Sequence, residues 1–406
     1  MKKYFGPSTV ITAAFIGPGT VTVCTLAGVN SGYELLWALL FSAFATFLLQ
    51  EMTARLGLIS GAGFGEAIRQ QLQHPVARLL GITLVLSAIV VGNAAYEGGN
   101  ISGAALGVQE LVFDFRLQLG AWQLSVAPLL IGAIAYLILG LGGIRLVQNA
   151  LIGLVALMSI VFLTTALAAQ PDWSQVIAGL FVPRSIDADW LAVVALIGTT
   201  VVPYNLFLHA SLVRERYSDA AQLPDLRREL LSSIVIGAAI SMSIVITSAA
   251  TLFGQQDINS AADMAVQLEP LLGEWSTSFL ALGLFAAGIS SAITAPLAAA
   301  YAARGVLGWQ ADPTDLRFRR VWQGILLIGV AVSASGYSPV LIIQFAQLTN
   351  GILLPLVAIF LLVIMNQQSL LKEHTNTTVQ NGFGVMIVLV TLLLGFRSLN
   401  AVLNFL

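Results

Sequence analysis

Long apolar runs set the pattern of this chain, and short polar stretches punctuate them. Runs of about 18 or more apolar residues, each enough to cross a bilayer as a helix, recur from one end to the other. Eleven spans are predicted, near 8–29, 35–57, 79–108, 124–142, 147–169, 189–213, 231–254, 276–303, 321–336, 339–365 and 382–404. Two of them are interrupted. In "AAFIGPGTVTVCTLAG" the first span carries Gly17-Pro18-Gly19-Thr20 at mid-depth. In "LAVVALIGTTVVPYNLFLHASLV" the sixth carries Pro203, then Tyr204 and Asn205, with His209 a turn later. Proline inside a helix removes a backbone donor and clashes with the preceding turn. A lone proline is commonly no more than a tolerated kink. Interruptions at matching places of two halves, here spans one and six of two five-span repeats, point instead to a transporter binding site built from freed backbone groups.

Composition changes the picture by exclusion. Of 406 residues 57% are hydrophobic and 9% charged, against roughly 25% charged in a soluble domain. Such a chain cannot cover a water-facing surface, so it reads as a polytopic helical membrane protein. The first apolar run, although Lys2 and Lys3 precede it, is too long for a signal peptide and shows no small-residue cleavage site before further spans follow. No soluble domain, low-complexity tract or nucleic-acid patch is found. Cys24 is the only cysteine, which rules out an internal disulfide and a Cys/His metal cluster. No nucleophile–base pair stands out, and neither an enzyme nor a cofactor is expected.

Charge placement gives an orientation. With the N-terminus in the cytoplasm, the inner side holds Lys2, Lys3, Arg55, Arg69, Arg78, Arg145, Arg214, Arg216, Arg227, Arg228, Arg304, Arg317, Arg319, Arg320 and Lys372. The outer side holds only Arg116, Arg184 and Arg397 of the 18 basic residues. Basic residues gather on the cytoplasmic side of membrane proteins, so the N-terminus is expected inside and, with an odd number of spans, the C-terminus outside.

The motifs carry a resemblance. "FGPSTVITAAFIGPGT" resembles the first helix of the Nramp divalent metal transporters, in which GPG is followed eleven residues later by DPGN; Gly6-Pro7 and Gly17-Pro18-Gly19-Thr20 keep that spacing. "GTTVVPYNLFLHASLV" is similar to the family's sixth helix, a GATVMPHNLYLHS-like pattern. "ALGLFAAGISSAITAPLAA" resembles its eighth, and "AQLTNGILLP", with Gln347 eight residues before Pro355, its tenth. The likeness covers spans one to ten. It implies an all-α membrane protein of the leucine-transporter type: two inverted five-helix repeats, about 8–169 and 189–365, and one extra helix, about 382–404, in a single transporter domain over 1–406. It also implies a bacterial inner-membrane protein acting as a monomer.

The metal-binding pattern is altered. The family's Asp falls on Gly17, its Asn on Thr20, its Met on Val202 and its first span-six histidine on Tyr204. The resemblance places the substrate at Ala14, Gly17, Thr20, Thr199, Val202, Tyr204, Asn205 and Gln347. It gives no assured metal-ligand set. A divalent ion leaving water needs charge or close oxygen and soft ligands. A site of hydroxyls, amides and carbonyls is neutral, suited to a hydrated ion or to a polar organic solute. Gly19, lacking a side chain, is expected to leave the cradle open.

One acid lies at membrane depth. Glu97, in "VVGNAAYEGGNISGAALG", matches the first acid of the family's DLAE-like motif, while Asn100 stands at the second and Val90 where another Glu is common. An ionisable group there is a functional candidate by default, as a proton carrier or a counter-charge, with a structural acid the alternative. Gly98 and Gly99 either admit neighbouring helices or leave room for water. By the resemblance the proton route is Glu97, His209 and Arg320, with positive-inside anchoring the alternative for Arg320 and Arg319, and packing the alternative for His209. Tyr96 either lines the cavity or packs. Two substrate classes stay open: a divalent metal ion held weakly and partly hydrated, coupled or not to protons, and a small polar or carboxylate-bearing solute. In either case the partners are the bilayer and the transported species.

Overall fold

The computed structural model describes residues 16–72, 74–112, 115–119, 122–141, 145–184, 190–254, 257–309 and 315–403. The helices in chain order are α1 (Pro18–Ser31), α2 (Leu36–Ser60), α3 (Phe64–Gln71), α4 (Pro75–Leu111), α5 (Val126–Gly140), α6 (Arg145–Ala168), α7 (Trp173–Phe181) and α8 (Trp190–Thr200). They continue with α9 (Pro203–Arg216), α10 (Leu223–Leu252), α11 (Ala261–Ala265), α12 (Glu269–Leu272), α13 (Ser276–Leu307), α14 (Leu316–Ala334), α15 (Pro339–Met365), α16 (Gln368–Leu371) and α17 (Thr378–Leu403).

Among the described residues, eight helical stretches are long and apolar enough to span a bilayer, the one at Trp190–Arg214 being α8 and α9 taken together across their break. Three expected spans differ. The first is described only from its break outward, as the 14 residues of α1. The fourth is 15 residues long. The ninth, α14, has 19 residues, with Arg317, Arg319 and Arg320 in its first turns.

α4 is the central post, packed against α13, α14 and α15. Small residues allow the closest approach: a Cβ on Gly107 would lie 2.2 Å from the Ala281 carbonyl, and one on Gly288 would lie 2.6 Å from the Ala104 nitrogen. In a bilayer, where lipid is as apolar as leucine, such close backbone contact is a main source of helix association. α10 packs on α1 and α2, and α15 packs on α8.

Hydropathy does not reveal the short elements. Strands β1 (Arg116–Leu119) and β2 (Trp122–Ser125) form an antiparallel hairpin, with Arg116 opposite Ser125. Asp172 caps α7 by accepting from the Ser174 and Gln175 backbone nitrogens. The Gln175 side-chain amide and these backbone bonds hold its carboxyl below the usual carboxylate range. At the basic end of the bundle, Glu51 and Arg55 are buried and ion-paired at 3.2 Å. Arg227 reaches the other Glu51 oxygen at 2.7 Å, and Arg55 also donates to the His374 carbonyl at 2.8 Å. The network ties α2 to the start of α10 and to the connection before α17.

Candidate functional site

The second interruption is a break rather than a kink, and at the first a helix starts at the proline. Gly17 precedes α1 in extended conformation, at φ −98° and ψ 176°, and Pro18 opens the helix. α8 ends at Thr200, Val202 is extended at φ −83° and ψ 119°, and Pro203 opens α9. Proline suits the first helical position because its missing N–H would have no partner there. Pro203→Ala is expected to let the two halves of span six join and to lower transport severalfold. Flux into vesicles measured beside a melting curve checks it, and unchanged flux would mean that the break does not depend on the proline.

The two breaks meet. The Thr20 and Thr199 hydroxyls are hydrogen-bonded at 2.9 Å across α1 and α8, both buried. Gln347 of α15 closes the third side, and the space beside Gly19 is not open as expected. A Cβ on Gly19 would lie 2.0 Å from Gln347 Nε2, so the glutamine amide fills the notch. Gln347 Oε1 is buried without a hydrogen-bond partner, as are both amide atoms of Asn205. Buried polar atoms are nearly always paired, and these three belong to a residue just past the second break and to the glutamine packed against Gly19. Among the described residues, no group of three or more His, Cys, Asp or Glu side chains converges anywhere.

Val202 and Tyr204 are buried among apolar side chains. They lie in an apolar cluster with Tyr96, Leu208, Leu230, Ile234, Ala295 and Ala298. Tyr96 and Tyr204 meet edge to face, ring centroids 5.4 Å apart, and share a side-chain hydrogen bond. Tyr96 therefore packs, and it links α9 at the break to the turn of α4 that carries Glu97.

Glu97 is fully buried. One carboxylate oxygen accepts from Asn100 Nδ2 at 3.3 Å, and the other has no partner. Its side chain fits against Gly329 of α14, where a Cβ would lie 2.4 Å from Glu97 Cγ. Gly98 and Gly99 admit neighbouring helices: a Cβ on Gly98 would lie 3.0 Å from Val332 and one on Gly99 3.0 Å from Ala346. His209, one turn past Asn205, is buried with neither ring nitrogen hydrogen-bonded in good geometry; the Gln50 backbone lies alongside.

Arg320 is exposed, nine residues before Gly329 and so about 13 Å from it along the helix. No contact joins it to Glu97 among the described residues. Ala14 lies outside the described residues.

Sequence reading missed two buried glutamines. Gln50, whose Oε1 is unpaired, sits beside His209. Gln267 donates to Thr25 Oγ1 at 2.8 Å, holding the connection before α13 against the second half of α1. An amide inside an otherwise apolar run was the available signal for Gln50.

A bundle of apolar helices in which α1 starts at Gly17-Pro18 beside the break between α8 and α9 defines a polytopic membrane protein of the leucine-transporter type. MhsT in complex with L-phenylalanine shares the arrangement at TM-score 0.64 and 13% identity, over 97% of this chain and 98% of that one. The chain belongs to the Nramp family: the profile of natural resistance-associated macrophage protein-like sequences matches residues 8–400. It is 27% identical over 395 residues to the divalent metal cation transporter MntH of Caldanaerobacter subterraneus subsp. tengcongensis, covering 95% of this chain and 90% of the relative. The Eremococcus coleocola manganese transporter, solved with an aromatic bis-isothiourea substituted compound, superposes at TM-score 0.75 with 20% identity, over 98% of this chain and 86% of that one.

Proposed function

We propose that the protein carries a divalent metal ion across a bacterial cytoplasmic membrane by alternating access, the ion lying between the two breaks with part of its water shell retained. The observation that carries this reading is the uncharged lining at the breaks, Thr20 bonded to Thr199 with Gln347 against Gly19, and the unpaired buried amide atoms of Gln347 and of Asn205 just past Pro203. The names of the relatives supply the substrate class. The neutral lining narrows it: magnesium dehydrates reluctantly and usually keeps several waters, and hydroxyls and amides can hydrogen-bond those waters without replacing them. Manganese and iron lack here the anionic and sulfur ligands that would favour them.

In this reading the chain is one transporter domain of two repeats, about 8–169 and 189–365, with an extra helix about 382–404. It works as a monomer, N-terminus inside. Gly17, Val202 and Tyr204 shape the cradle, and Glu97 with His209 carries protons; Arg320 anchors the inner end of α14. The test is uptake into proteoliposomes of magnesium, manganese and small carboxylates, each alone. Magnesium uptake with poor manganese uptake is expected, and carboxylate uptake without either metal would sink the metal reading. Glu97→Gln should fold normally and remove the dependence of uptake on external pH, because the amide cannot bind and release a proton in this range. An unchanged pH response in that variant would place coupling elsewhere or exclude it.

A further inference from the structure

A cleft of about 540 Å³ opens at the basic end of the bundle, far from the two breaks, lined by Glu66, Arg69, Gln70, Leu72, Arg78, Gly305 and Gly308. Its shape follows from glycines. Gly65 and Gly305 bring α3 against the end of α13, where a Cβ on Gly65 would lie 2.8 Å from the Val306 nitrogen. Gly308 ends α13 in the left-handed conformation at φ +67°, and its missing side chain leaves the room that the Arg69 guanidinium occupies.

The cleft is cationic. Arg69 donates one N–H to the Leu307 carbonyl, and a guanidinium has five. The Arg78 side chain has no hydrogen-bond or ion-pair partner among the described residues, its backbone N–H alone donating to the His74 carbonyl. Glu66, the only acid of the lining, is already paired with Arg214 at 2.9 Å. Two positive charges are therefore left without an anion.

The cleft also sits at the membrane border. The apolar span of α4 begins at Arg78 and runs to Leu111. Val76, Leu79, Leu80 and Leu84 around it are exposed, Leu79 at 67%. A paired cationic cleft over an apolar wall matches a molecule with an anionic head and hydrocarbon tails. We propose that this cleft binds the phosphate headgroup of an anionic phospholipid from the leaflet at the basic end of the bundle, the acyl chains lying along α4. Arginine recognises phosphate through two parallel N–H bonds, and basic pockets between helices at this level hold acidic lipid heads. The apolar wall favours a lipid over free phosphate. The proposal is independent of the transported substrate.

The test uses the whole purified protein in detergent, with melting curves and native mass spectrometry after addition of phosphatidylglycerol, phosphatidylethanolamine or inorganic phosphate. Phosphatidylglycerol should raise the melting temperature and stay bound, and the other two should do neither. Arg78→Gln, which breaks no existing contact, should melt like the parent without lipid and retain phosphatidylglycerol about fivefold more weakly, the scale of one interfacial arginine. Should Arg78→Gln fold poorly, Gln70→Glu, at an exposed position, should weaken retention in the same sense by adding a negative charge. Retention unchanged in these variants, equal stabilisation by phosphatidylethanolamine, or an equal effect of inorganic phosphate would each overturn the lipid site.

Discussion

Gly17→Asp combined with Val202→Met is expected to raise manganese affinity by about a hundredfold or more over the parent, since even an outer-shell partner of a metal is worth about 10–100-fold. The backbone is ready for both changes. Gly17 is extended, at ψ 176°, a conformation any residue adopts, so aspartate there meets no conformational cost. Val202 is extended as well. Its surroundings, Tyr96, Tyr204, Ala295 and Ala298, are packed, and the longer side chain adds a strain of about 1–3 kcal/mol, eased by the flexibility of methionine. The added carboxylate supplies the negative charge that the cradle lacks and the thioether a soft ligand that magnesium does not use. Calorimetry of manganese and magnesium on parent and variant reads the effect directly. The ratio of the two affinities should swing toward manganese. A variant that binds manganese no better than the parent would show that the ion does not lie between Gly17 and Val202.

What the sequence made legible follows from how local each cause is. The breaks at Gly17-Pro18 and at Pro203 could be read because proline and glycine act on their own backbone. The burial of Glu97 could be read because it sits inside an apolar run. The Gln347 amide filling the notch beside Gly19 could not, because it depends on how far α15 stands from α1. Nor could the Tyr96–Tyr204 contact, which joins residues of two helices far apart in sequence. The hairpin at Arg116–Ser125 and the short helices α3 and α7 vanish in a hydropathy average wide enough to find spans. The Glu51–Arg55 pair is local, four residues apart on one helix. The second arginine of Glu51, Arg227, comes from another helix, and a pattern along one segment does not reach it.

The same geometry separates two glycines that look alike in sequence. Gly19→Ala is expected to abolish most transport with little change in melting temperature, and Gly198→Ala to lower both. The added Cβ at Gly19 would meet Gln347 Nε2 at 2.0 Å and Cδ at 2.7 Å, the far end of a flexible side chain. That amide can swing aside, so the fold survives. Its Oε1, buried and unpaired in the cradle, moves with it, and the substrate loses an oxygen. At Gly198 the added Cβ would lie 2.0 Å from the Gln347 carbonyl and 2.7 Å from the Gly351 nitrogen. Both are backbone atoms of α15, and neither can rotate away. α8 must part from α15, which costs on the order of 1–3 kcal/mol of overpacking strain and loosens the wall that carries Thr199. Melting curves and vesicle flux on the two variants, side by side, distinguish the outcomes. Full flux through Gly19→Ala would mean that Gln347 does not touch the substrate. A melting temperature for Gly198→Ala equal to that of the parent would mean that α8 and α15 are not held at this distance in the working protein.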